Sequence, residues 1–247
     1  MSGQTNTARY LPAGDAALVV EFGSEISDAI NDKVQAMGKS ILDAKLPGVR
    51  EVVPTFRSLM VTFDPAQTHF SALCRKLKKL EKHCQVSGGT KKRVIKIPCC
   101  YGGEFGPDMA DLAAHAGMSE QEVIAVHSGT DYRIYMMGFL PGFAYLGGLD
   151  KRLEMPRLKT PRVRIPAGAV GIGGSQTGVY PLDSPGGWRL IGRTPLELYD
   201  PKHSPYILCH AGEYIRFVPI SPEEYQTIRE QVTAGTYQLE TEEVSVC

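Results

Sequence analysis

The second half of this chain is cut by glycine and proline so often that no long helix fits there. Between residues 132 and 218 its apolar segments are Tyr132–Phe139, Val163–Pro166, Val170–Gly173, Gly178–Leu182, Trp188–Gly192, Leu196–Tyr199 and Tyr214–Val218. Many short strands at close spacing, each bounded by turn residues, predict a β-barrel. The chain holds 26 Gly and 17 Pro, and most of that excess falls between residues 138 and 205.

The first part reads differently. Leu18-Val19-Val20-Glu21-Phe22 has the pattern of a strand, and Ile26, Ile30, Val34, Met37 and Ile41 recur on one face of a helix that Pro47-Gly48 stops. Val49 to Val53 and Leu59 to Phe63 are two further strands. Asp64 is the expected N-cap and Pro65 the first residue of a helix with Phe70, Leu73, Leu77 and Leu80 on its buried face. The order strand, helix, strand, strand, helix predicts a small ferredoxin-like split unit. Residues 75–96 carry nine Lys or Arg against Glu81 alone. Without interleaved aromatics this is the solvated face of a helix plus a Ser87-Gly88-Gly89 linker, rather than a surface for an anionic partner.

Val94 to Pro98 opens the second part as a strand, and two short helices follow, near Pro107-Asp108 and at the Ser119-x-x-Glu122 capping box. A last helix runs from Pro222 to about Val232. The expected fold class is therefore α+β: a frayed tail over 1–9, an α/β sandwich over 10–90, a β-barrel over 91–233, and a mobile acidic tail over 234–247 with Glu240, Glu242 and Glu243.

The charge balance, 27 basic against 27 acidic residues in 247, argues against a nucleic-acid binder or a polybasic membrane binder, and 43% hydrophobic content argues against disorder. No apolar run approaches the roughly 18 residues that span a bilayer. Residues 1–9 lack the apolar core of an export signal, so the expected location is cytoplasmic and the six cysteines are expected as reduced thiols. With no CxxC, no HExxH and no clustered histidines, no metal site is expected.

Chemistry concentrates in three turn-rich segments: 137–148, 156–168 and 171–188. Their glycines would let backbone approach a ligand, and Arg157, Arg162 and Arg164 are forks suited to carboxylate or phosphate. Gly171, Gly173 and Gly174 complete neither dinucleotide nor P-loop spacing, so barrel-turn glycines are the simpler reading. His127 ends the capped helix just before the strand holding Tyr135; it is either a proton-transfer group or a partner of the terminal carbonyls. Gln176 and Ser184 could bind a polar substrate, and Trp188 is core or pocket wall. No serine sits in GxSxG and no cysteine has a reactive context.

Ile97-Pro-Cys-Cys-Tyr-Gly-Gly-Glu-Phe-Gly-Pro-Asp108, Met137-Gly-Phe-Leu-Pro-Gly-Phe143, Ile165-Pro-Ala-Gly168, Gln176-Thr-Gly-Val-Tyr-Pro181 and Ser184-Pro-Gly-Gly-Trp188 closely resemble the PxpB/KipI family, once labelled allophanate hydrolase subunit 1. The resemblance spans about residues 10–225 and extends to part of the carboxyltransferase region of urea carboxylase. It implies that the barrel is cyclophilin-like and that the chain is the PxpB-type component of a 5-oxoprolinase. That enzyme assembles with PxpC-like and PxpA-like subunits and cleaves 5-oxo-L-proline to L-glutamate with ATP (and Mg) in the assembled complex. On this reading Arg157, Arg162, Gln176, Ser184 and Trp188 bind substrate, and His127 and Tyr135 handle protons. Gly138, Phe139, Pro141, Gly142, Phe143, Gly173, Gly174, Gly186 and Gly187 supply the pocket loops. The family also contains inhibitors of a sporulation histidine kinase, which is the alternative; a carboxyltransferase or allophanate-hydrolase component is the third.

Overall fold

The computed structural model describes residues 8–84, 91–202 and 204–245. Two compact units, Met1–Gly89 and Thr90–Cys247, are distinguished. The Ser87-Gly88-Gly89 linker and most of the N-terminal tail lie outside the described residues.

The first unit runs β1 (Arg9–Pro12), β2 (Ala17–Glu21), α1 (Asp28–Asp43), β3 (Val49–Pro54), β4 (Ser58–Phe63) and α2 (Phe70–His83). Its antiparallel sheet has the order β1-β2-β4-β3. Leu18, Val20, Leu59 and Val61 alternate onto the face where Val34, Met37, Ile41, Leu73 and Leu77 of the helices form a common core. Two details differ from the sequence expectation. Arg9 belongs to an edge strand, not a frayed tail. Helix α2 begins at Phe70, because Asp64 bonds the backbone N–H of Ala66 and holds 64–68 in a turn. An aspartate paired with its own backbone two residues on competes with helix initiation.

The second unit runs β5 (Lys91–Tyr101), α3 (Met109–Ala116), α4 (Glu120–Ser128), β6 (Tyr132–Met137), β7 (Ala144–Gly147), β8 (Arg162–Ile165), β9 (Ala169–Gly173), β10 (Gln176–Val179), β11 (Ser184–Gly186), β12 (Arg189–Arg193), β13 (Tyr214–Pro219), α5 (Pro222–Thr233) and β14 (Thr241–Ser245). Its main sheet has the order β10-β9-β12-β5-β13-β6-β7 and is nearly closed: a Cβ placed on Gly178 of β10 would lie 3.3 Å from the Ala144 carbonyl of β7. Ile95, Ile97, Val170, Ile172, Val179, Ile191, Ile215 and Phe217 fill the interior. Strands β8 and β11 form a separate two-stranded ribbon. A second apolar cluster combines Ile165 of that ribbon with Phe143, Ala169, Tyr180, Trp188 and Leu190. Ser119 and Glu122 make the predicted capping box of α4.

Leu196–Tyr199 is not a ladder strand. Leu196 and Leu198 are buried alternately, but pairing is confined to a bridge between Tyr199 and Ile207. The acidic tail is also not free: β14 pairs antiparallel with the first half of β5. Strand β12 meets β5 only at Cys100 and Tyr101, which leaves the edge from Lys91 to Ile95 open. An unpaired edge of that length needs a cover, and the acids fit it, with Glu240 3.6 Å from Lys96 and Glu242 3.0 Å from Arg216. The five described cysteines are free, and among the described residues no helix is long and apolar enough to cross a membrane.

Candidate functional site

The hairpin β9–β10 explains the glycine-rich segment. Val170, Ile172, Thr177 and Val179 are buried on its inner face. Alternation turns Gly171, Gly173 and Gly178 to the other side, with Gly171 opposite Gly178 and Gly173 opposite Gln176. The Trp188 indole lies on that glycine face. A Cβ on Gly173 would fall 2.3 Å from its Cδ1 and Nε1, and one on Gly178 would fall 3.1 Å from its Cζ3. These glycines seat an indole rather than a ligand, and Gly174 makes the hairpin turn at φ +68°. Replacing Gly173 with Ala is expected to destabilise the barrel by about 1–3 kcal/mol through overpacking, seen as a lower urea midpoint.

Trp188 is 4% exposed, with Phe143 and Tyr180 edge-on to it at 5.7 and 6.0 Å, so it belongs to the core. Its outward role is to carry Arg157, whose guanidinium lies 5.9 Å from the ring centroid, close enough for a cation–π contact. The bridge between Met155 and Gly174 holds the Arg157 segment against the hairpin tip next to Gln176.

The other two arginines are already paired. Arg162 binds Asp108 at 2.7 Å, and that carboxylate, 5% exposed, also accepts from the Leu190 N–H. The pair ties the start of α3 to β8 and β12, so Arg162 is a structural fork rather than an open substrate contact. Arg164 is held by Asp183 at 2.6 Å. Arg157 is exposed and has no carboxylate partner among the described residues.

Around it, Gly186 leaves room for the Tyr180 hydroxyl, which would sit 2.5 Å from an added Cβ, and Gly187 lies beside Arg157. Ser184, two residues earlier on β11, is 8% exposed, and its Oγ has no hydrogen-bond partner. The loop 138–143 closes through Phe143 N–H to Leu140 O at 3.0 Å and Gly138 N–H to Phe143 O at 3.2 Å. It holds Phe139 at φ +67° and 64% exposed, edge-on to Phe143. A bulky residue costs roughly 1–3 kcal/mol there, which marks the loop as a candidate contact surface. Pro141 is exposed at its tip, and a Cβ placed on Gly142 would fall 2.9 Å from the Leu198 carbonyl oxygen.

The two expected proton-transfer residues are elsewhere. His127 is fully buried. The Thr177 hydroxyl donates to Gly171 O at 3.1 Å, so its oxygen receives the His127 Nε2–H at 2.8 Å, and the Tyr101 hydroxyl donates to Nδ1 at 2.7 Å. This one-way chain fixes a single neutral tautomer, and burial lowers the His127 pKa to about 3. Its contact, Thr177, faces away from Gln176 and Trp188. His127 is thus a buried tie between α4, β5, β9 and β10, not an acid or base open to substrate. The Tyr135 ring packs on Gly147, where a Cβ would meet it at 2.2 Å, with Arg133 over its face at 5.5 Å.

The site assembled on the outer face is therefore Arg157 on Trp188, with Gln176, Tyr180 and Ser184. The model of the carboxyltransferase domain, subdomain C and D, matches residues 8–209. A Bacillus subtilis protein named as the B-type subunit of 5-oxoprolinase is 41% identical over 91% of this chain and 99% of its own length. One of the same name from Haemophilus influenzae is 44% identical over 84% and 96%. This chain belongs to the family of B-type 5-oxoprolinase subunits. The solved urea carboxylase of Kluyveromyces lactis shares its fold, with a TM-score of 0.78 at 21% identity, over 99% of this chain and 24% of that one.

In this member of the 5-oxoprolinase family the described glycine-rich hairpin does not fit a nucleotide phosphate. Gly173 and Gly178 are covered by the indole, Gly171 lies against the Arg189 carbonyl, and no group of three or more His, Cys, Asp or Glu among the described residues could hold a metal. Sequence reading missed Asp108, Thr177 and Tyr180. Tyr180 had a signal, since it follows Gln176 and Gly178 at a spacing of two.

Proposed function

We propose that the chain is the PxpB-type component of an ATP-dependent 5-oxoprolinase that cleaves 5-oxo-L-proline to L-glutamate, and that it is inactive alone. The observation that carries this reading is the near full-length match, at 41% and 44% identity, to two proteins named for that enzyme. A five-membered lactam is a stable amide; ATP supplies activation of its ring carbonyl, after which water opens the C–N bond. The companions are a PxpC-like and a PxpA-like subunit, and the nucleotide with its Mg is assigned to the assembled complex, since Trp188 covers Gly173 and Gly178 of the described glycine-rich hairpin. Arg157 pairs with the substrate carboxylate, kept in place by Trp188, and Gln176 supplies a neutral hydrogen-bonding edge beside it. Phe139 offers an exposed aromatic anchor for a companion chain.

The test is ATP-dependent glutamate release by the three co-expressed subunits, repeated with this chain omitted. Activity that needs all three supports the reading. A properly assembled complex without turnover overturns it.

A further inference from the structure

Among the buried side-chain polar atoms of the described residues, Ser184 Oγ stands without a hydrogen-bond partner. A hydroxyl left so costs about 1–3 kcal/mol relative to one that is paired or absent, which calls for a compensating role. Its surroundings are built. Ser184 is directly opposite Ile165, so the two side chains share one face of the β8–β11 ribbon. The Ile165 Cδ1 and the Tyr180 hydroxyl converge at Gly186, at 2.7 and 2.5 Å from the place of its missing Cβ. Just past the strand, a Cβ placed on Gly187 would lie 3.8 Å from the Arg157 Cβ.

We infer that the Ser184 hydroxyl is the hydrogen-bond donor that recognises the ring carbonyl of a bound lactam, acting as a specificity residue beside the Arg157 carboxylate anchor. This rests on the 5-oxoprolinase reading. Serine has three staggered χ1 wells, and leaving the buried one forfeits no hydrogen bond. The hydroxyl therefore turns toward a carbonyl oxygen at little cost, and the ligand supplies the partner that the free chain lacks. A ring without the carbonyl gains nothing from it, which is how a site built on a hydrogen bond discriminates.

The signature is a stability effect and an activity effect of opposite sign. In the isolated chain, Ser184→Ala should leave the urea midpoint unchanged or raise it. In the assembled complex the same variant should raise the KM for 5-oxoproline about 10-fold or more, while competitive inhibition by L-proline, which lacks the carbonyl, stays as in wild type. A fall in stability together with activity would make Ser184 structural and overturn the inference. So would an unchanged KM. A wild-type complex that does not turn over 5-oxoproline fails the parent reading and removes the inference with it, an outcome distinct from the other two.

Discussion

Acidification from pH 6.5 to about 4 should strip on the order of 3 kcal/mol from the barrel through His127 alone, at roughly 1.4 kcal/mol per pH unit. In the folded chain burial holds this imidazole neutral down to about pH 3. Unfolded, it titrates near 6.5. Between those values the unfolded state binds the extra proton, so the stabilisation is complete above 6.5 and is lost as the pH falls toward 3. The groups packed on the ring are the hydroxyls of Tyr101 and Thr177 and the rings of Tyr132 and Phe217, none of them charged at these pH values. Urea unfolding across pH 4–8 measures the slope. His127→Gln keeps a donor and an acceptor but does not titrate, so its acid limb should flatten. A variant limb as steep as wild type would assign the loss to other groups.

The second large effect concerns the seat and the cation it carries. Trp188→Ala should cost about 3–5 kcal/mol, since it empties the centre of a cluster in which Phe143 and Tyr180 are edge-on to the indole. Arg157→Ala should leave stability nearly unchanged, because the residue is exposed and its guanidinium has no carboxylate partner among the described residues, only the ring face beneath it. In the assembled complex, however, it should raise the KM for 5-oxoproline about 10- to 100-fold with little change in kcat, as expected when a charged hydrogen bond is removed equally from ground and transition states. Trp188→Phe separates the two roles: it refills part of the core but offers Arg157 a smaller face. Unfolding curves on the isolated chain and steady-state kinetics on the complex read them independently. An Arg157→Ala enzyme with wild-type KM would move the carboxylate anchor elsewhere.

Much of the fold was legible because burial imposes a period. Val34, Met37 and Ile41 at helical spacing, and Leu59, Val61 and Phe63 at spacing two, can satisfy their apolar faces in few ways, and the capping box at Ser119 marks its helix locally. Sequence reading failed where a local signal had two possible partners. Asp64 could cap a helix or close an Asx turn, and it closes the turn. The acidic tail could stay in solvent or cover an edge; the opening left by β12 along β5 decides for the edge.

That a helix-and-sheet unit precedes a turn-rich barrel, and which segments carry the polar groups, follows from the order of residues, because alternation, capping and Gly/Pro punctuation are properties of neighbours in the chain. What those groups do depends on how the folded chain brings them together. Three arginines within eight residues look equivalent until Asp108, 54 residues from Arg162, and Asp183, 19 residues from Arg164, claim two of them and leave Arg157 on its indole. The glycines resembled a ligand nest until Trp188 filled them, and His127 resembled a general base until Tyr101 and Thr177 took both its nitrogens. Ionisation and hydrogen bonding depend on partners brought together from distant positions, and no periodicity along the chain encodes those.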